Sequence, residues 1–194
     1  CNGDPDDIFD VVINEIVTDP RQDWNDSTAG NGSPFDDTPG SGAVDETDEW
    51  IELYNRGCSI DLTGYVLSMV DEAPDVSVFD GSGGSTLVFS DGGSVTDFQA
   101  GEYLVIGDPP GEMDDDIWVH LNDASGNVMD EVSLGVSLGG DGDSTNNAPS
   151  GNSTVPEDET VARLPNAFDT DNDLSDWTRT VATIGAANVA SCLP

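Results

Sequence analysis

The sequence predicts an all-β sandwich, and three observations carry that expectation. Short runs rich in β-branched and aromatic residues recur along the 194 residues. Asp-Gly and Ser-Gly pairs punctuate them, and no window sustains a capped helical period. The run from Phe9 to Val17 is β-branched and apolar, and Pro20 closes it. From Trp50 to Asn55 the pattern alternates, with Trp50, Glu52 and Tyr54 on one face and Ile51 and Leu53 on the other. Gly57 sits in a turn before a third strand, predicted over Leu62 to Val70. Further strands are predicted at Thr86 to Phe89, Tyr103 to Ile106, Ile117 to Leu121 and Val128 to Leu134. Two stretches, about 18–47 and 139–159, are rich in Asp, Gly, Ser and Pro and too long for ordinary connections. They read as long acidic loops inserted in one domain over 9–192, preceded by a short tether over 1–8.

Charge narrows function more than length does. The chain carries 40 acids, 30 Asp and 10 Glu, against four arginines and no lysine, a formal net charge of −36. Such a surface repels phosphate backbones and anionic headgroups, which argues against nucleic-acid and membrane-surface partners. No apolar run approaches the roughly 18 residues of a membrane-spanning helix. Two physical readings of the acids remain. They can be a solvated surface suited to salty water, or ligands converging on a hard cation such as calcium. The excess of Asp over Glu leans toward cation loops, because the short side chain lets neighbouring residues of a tight turn reach one ion.

The sharpest local signal runs from Asp169 through Asp171 and Asp173 to Asp176, with oxygen-bearing residues alternating in a turn. It is not an EF-hand, since Leu174 stands where the loop needs glycine and Thr180 where it needs a bidentate Glu. The competing reading is turn chemistry with Asx-type hydrogen bonds. A second candidate cation cluster lies in the first loop, with Asp23, Asp26 and Asp48 its principal members and Trp24 as hydrophobic anchor. Asp114, Asp115 and Asp116 are consecutive in an extended stretch and cannot all face one ion.

Glu15 and Glu52 sit inside apolar strands, where an unpartnered carboxylate would cost several kcal/mol. With so few cations available, Arg163 is the expected partner of one of them, as a structural ion pair, and Arg56 the other natural partner. The two glutamates could also be read as a glycosidase acid and base, which needs a shared cleft. His120 is the sole histidine and alternates with Trp118, so it reads as structural, and zinc is not expected. The four tryptophans, Trp24, Trp50, Trp118 and Trp177, read as core or loop anchors, or alternatively as a sugar-stacking platform. Asn25, Asn31 and Asn152 begin glycosylation sequons in the predicted loops.

The cysteines are Cys1, Cys58 and Cys192. A leading cysteine followed by Asn2-Gly3-Asp4-Pro5-Asp6-Asp7 looks like a mature bacterial lipoprotein, lipidated on Cys1. Cys58 and Cys192 then remain as a disulfide pair for an oxidising compartment.

Several segments, taken in order, resemble one family. They are Val12-Ile13-Asn14-Glu15-Ile16, Asp48-Glu49-Trp50-Ile51-Glu52-Leu53-Tyr54-Asn55 and Asp61-Leu62-Thr63-Gly64-Tyr65-Val66-Leu67-Ser68. Gly101-Glu102-Tyr103-Leu104-Val105-Ile106, Leu121-Asn122-Asp123-Ala124-Ser125-Gly126-Asn127-Val128-Met129-Asp130, Arg163-Leu164-Pro165-Asn166 and Gly185-Ala186-Ala187-Asn188 follow. The chain resembles the lamin tail domain family in its bacterial extracytoplasmic branch, over about residues 11–188. The resemblance implies an immunoglobulin-like β-sandwich and a module that is not itself catalytic. The DNA role of nuclear members does not carry over, because their basic surface is missing here. The expected function is a non-enzymatic, monomeric module of the cell envelope or secreted space, structural or adhesive and calcium-stabilised. It would meet a surface protein or glycan, and touch a membrane only through a lipid on Cys1. The alternatives are a glycan-binding module using exposed tryptophans, and a carboxylate-dependent hydrolase.

Overall fold

β1 (Val11–Val17) is buried along its whole length and forms the centre of a five-stranded antiparallel sheet. On one side it pairs with β2 (Trp50–Asn55), which pairs in turn with β5 (Tyr103–Gly107). On the other side lie β8 (Thr160–Arg163) and β9 (Trp177–Thr180). The second sheet has the order β4 (Ser85–Val88), β3 (Val66–Asp71), β6 (Ile117–Asn122), β7 (Val128–Ser133), again antiparallel throughout. One helical turn, α1 (Asp173–Asp176), precedes β9. This computed structural model describes residues 10–24, 42–45, 48–71, 85–88, 96–107, 113–135, 146–151 and 160–190. The tether, most of both long loops, Cys1, Cys192, Asp26 and the three sequons lie outside them.

The sheets face each other across one apolar core, as the alternation predicts for an all-β sandwich. Ile13, Ile51 and Leu53 from the first sheet join Leu67, Val119 and Val132 from the second, each fully buried. The opposite parity of β2 behaves as expected: Trp50 points away from that core, into a smaller cluster with Val17 and Val105 on the outer face. Trp24 packs edge-on against Trp50 at 6.0 Å, and Ala182 and Ile184 complete the cover. The chain therefore closes both faces of the five-stranded sheet, the inner with its partner sheet and the outer with segment 181–190.

Asn14 is the extra residue of a β-bulge. Ile13 lies opposite Leu53, but Glu15, not Asn14, lies opposite Glu52. Ile13 and Ile16 consequently both face the core while Glu15 faces outward beside Glu52.

Three elements depart from the sequence expectation. The third strand starts at Val66 rather than Leu62, because Gly64 takes a positive φ of 83° and Tyr65 N–H donates back to Leu62 O. β8 and β9 were not predicted. Each has only four residues, and five of the eight side chains are Thr or Arg, so neither presents a long apolar run.

Candidate functional site

β8 follows the sheet's alternation, so Arg163 shares the inward side of Val161 and enters the sandwich from its end. Its guanidinium is fully buried and wholly engaged. Nη2 donates to Asp130 Oδ1 and Oδ2 at 2.8 and 3.0 Å, Nε to Ile13 O at 2.8 Å, and Nη1 to Asp169 Oδ1 at 3.0 Å. Asp176 approaches to 3.7 Å, and the Trp177 ring lies 4.9 Å beneath the guanidinium carbon. The expected pairing of Arg163 with Glu15 or Glu52 is thus corrected: its partners are Asp130 on β7 and Asp169, so the arginine ties the two sheets together. Burial pushes the Asp130 carboxyl up to about 7 while Arg163 pulls it down. Only N–H donors face it, those of Ile13, Glu131 and Arg163, so the ionised form is the one this site fits. Asp130 closes one of the segments that carry the family resemblance, but the sequence reading gave it no role as a site residue. The signal was its position two residues before Val132, which places it on the inward side of β7.

Glu15 and Glu52 instead find neutral partners. Glu15 Oε1 accepts from Thr183 N–H at 2.9 Å and its Oε2 lies 2.8 Å from Thr183 Oγ1. Glu52 accepts from Asn14 Nδ2 at 2.9 Å and from Gly185 N–H at 2.7 Å. Both glutamates have no exposed surface. Desolvation raises Glu15 to about 7 and, with the repulsion of Glu15 added, Glu52 to about 8. An acid pair with raised pKa values is what a glycosidase displays. Here segment 181–190 covers the pair through the Thr183 and Gly185 amides, and among the described residues neither glutamate keeps exposed surface.

The Asp-rich turn is held by its own hydrogen bonds. Asn172 caps α1 by accepting from Ser175 N–H, Asp173 accepts from Ser133 N–H at 2.8 Å, and Asp176 accepts from Thr170 N–H and Oγ1. Asp169 answers Arg56 as well as Arg163. Asp169, Asp171 and Asp173 line one pocket of about 200 Å3 with Glu131 and Asn146, whereas Asp176 is buried beneath it. Of the other cation candidates, Asp23 accepts from Gly42 N–H and Asp48 from Asp45 N–H, and they do not join this pocket. Among the described residues no three acidic, histidine or cysteine side chains are placed to hold one metal ion.

On the outer face of the second sheet, Trp118 and His120 stack with centroids 4.3 Å apart and planes at 16°. Both are half-buried, and burial lowers the His120 pKa, so the ring is neutral at physiological pH. All four arginines are internal to the chain's own bonding. Arg21 meets Asp19, Arg56 meets Asp10 and Asp169, Arg163 forms the buried hub, and Arg179 donates twice to Ser150 O. Cys58 is buried and disulfide-bonded, and its two candidate partners are outside the described residues. Compared with family models, curated proteins and solved structures, the chain has no match in any of the three.

Proposed function

We propose that this chain is a non-catalytic module of the cell envelope or secreted space, structural or adhesive in role, with an immunoglobulin-like sandwich of the lamin-tail type. Charge placement is the observation that carries the reading. Each of the four cationic side chains is bonded within the chain, so a protein of net charge −36 presents an anionic surface. An anionic surface of this kind meets other envelope components through bridging cations rather than through direct charge pairs. The Cys58–Cys192 pairing and monomeric state belong to the same proposal. Sealing of Glu15 and Glu52 supports the absence of catalysis. Turnover of glycoside or ester substrates that vanished in Glu15→Gln would overturn it.

Calcium stabilisation is part of this reading, with Asp169, Asp171 and Asp173 the ligands to change first. Thermal unfolding in calcium and in chelator, at matched ionic strength, tests it. Calcium at 100 times its dissociation constant is expected to stabilise by ~2.7 kcal/mol, roughly 5–10 °C for a chain of this size. A rise produced equally by sodium would return the acids to plain surface charge.

The Trp118–His120 stack favours a second reading, glycan binding on the outer face of the second sheet. Quenching of tryptophan fluorescence by an added polysaccharide, lost in Trp118→Ala, would support it. Unchanged fluorescence across a panel of envelope polysaccharides would remove it.

A further inference from the structure

Glu15 and Glu52 are direct partners across the β1–β2 ladder, and neither exposes any surface. Two ionised carboxylates so placed repel each other without hydration to compensate, so the pair favours keeping a proton. Hydrogen-bond counting shows which member holds it. Asn188 Nδ2 gives its two hydrogens to Asn14 O and Arg163 O, at 3.0 and 2.9 Å. The Oδ1 of Asn188 can therefore only accept, and the hydroxyl of Thr183 lies 2.9 Å from it. That hydroxyl has a single hydrogen. Once it is given to Asn188, the 2.8 Å contact between Thr183 Oγ1 and Glu15 Oε2 requires Glu15 to be the donor. Thr160, the other hydroxyl beside Glu15, gives its own hydrogen to Ile16 O at 2.9 Å. Glu52 is the converse case, since both of its oxygens receive N–H donors.

We propose that Glu15 carries the pair's proton and that this proton latches segment 181–190 onto the outer face of the five-stranded sheet. Losing it releases the segment. With Glu15 ionised, Thr183 must abandon either Asn188 or the carboxylate, and two adjacent anions lie beneath a cover of Ala182 and Ile184. Water entering to hydrate them must displace that cover.

The surrounding groups do not relieve the charge. Segment 181–190 contains no ionisable side chain. From β5, Tyr103 faces the pair, and desolvation and the neighbouring Tyr54, Glu52 and Glu15 raise it above its ordinary 10, so it stays neutral. From β8, Arg163 is turned into the sandwich toward Asp130 and Asp169, and on β9 Arg179 is bonded to Ser150 O. Burial raises both glutamates above their unfolded value of 4.5, but N–H donors on both Glu52 oxygens hold that carboxyl as the anion, so the pair's proton sits on Glu15, raised from 4.5 to about 7. The latch is therefore fully closed at acid pH, and its contribution is lost as pH rises through that interval.

Amide hydrogen exchange on the intact chain tests this, at about pH 5.5 and about pH 9, with rates corrected to protection factors. Protection at the Thr183 and Gly185 amides is expected to fall about tenfold at the higher pH, while Leu67 and Val119 in the other sheet hold theirs. Glu15→Gln should abolish the pH response. Its amide can donate to Thr183 Oγ1 while its oxygen still accepts Thr183 N–H. Glu52→Gln should lose protection at both pH values, because its amide would confront Asn14 Nδ2 or Gly185 N–H. Unchanged wild-type protection, or a tolerated Glu52→Gln beside a disrupted Glu15→Gln, would overturn the proposal. Carbon-13 titration of the wild-type Glu15 carboxyl needs no variant. A midpoint near 7 is expected, and one near 4.5 would refute the latch.

Discussion

Arg163→Ala is expected to destabilise the protein by about 3–5 kcal/mol, because it leaves Asp130 buried and uncompensated at the junction of the two sheets. For a chain of this size that is a fall in Tm of roughly 10 °C. The deficit should shrink as pH is lowered through about 7, to which burial raises the Asp130 carboxyl, since a protonated Asp130 needs no cation beside it. Asp130→Ala combined with Arg163→Ala should cost less than the two single changes added together, which a double-mutant cycle reads directly. Arg21→Ala supplies the contrast. That arginine and Asp19 are substantially exposed, at 41% and 26%, and their loss should leave the Tm nearly unmoved. A wild-type Tm in Arg163→Ala would mean that the hub does not hold the sandwich together.

Trp50→Ala should be comparably severe, about 3–5 kcal/mol. Trp50 is fully buried on the outer face of β2, where Val17, Val105, Trp24, Ala182 and Ile184 close around it. Its removal opens a cavity that a strand backbone cannot collapse into. The loss reaches beyond the fold, because Ala182 and Ile184 belong to the segment covering Glu15 and Glu52. Urea unfolding should show a lower midpoint, and exchange at Thr183 should accelerate in native buffer. Retained protection at Thr183 would show that the cover is held by its hydrogen bonds alone.

Much of the sandwich was legible because its strands alternate against one core. Trp50 to Asn55 could be divided into two faces residue by residue, and the structure divides it the same way. β8 and β9 escaped because four-residue strands with Thr and Arg at five of their eight positions look like loop. Arg163 was recognised as a cation needed by buried acid, yet its partner was misassigned. The sequence displays Glu15 and Glu52 as conspicuous acids in apolar strands, while Asp130 blends into an acidic background. Moreover, the glutamates are answered by the backbone N–H groups of Thr183 and Gly185, and a backbone donor leaves no trace in a sequence. The Asp-rich turn was visible as a pattern. That Asp169 and Asp176 would turn to Arg163 and Thr170 depended on tertiary contacts across the fold.

The central place of β1 has a consequence for how the chain is made. Its hydrogen-bonding partners are β2 on one side and β8 on the other, and the latter begins only at Thr160. A growing polypeptide emerging from the ribosome can pair Ile13 with Leu53 early, but the opposite flank of Val-Val-Ile-Asn-Glu-Ile-Val stays open until most of the chain has emerged. Such long-range closure slows folding, and an apolar strand with one free edge is a template for intermolecular pairing. Chains that stop short of Thr160 would carry that edge permanently, which makes truncated products of this protein prone to aggregate rather than simply inactive.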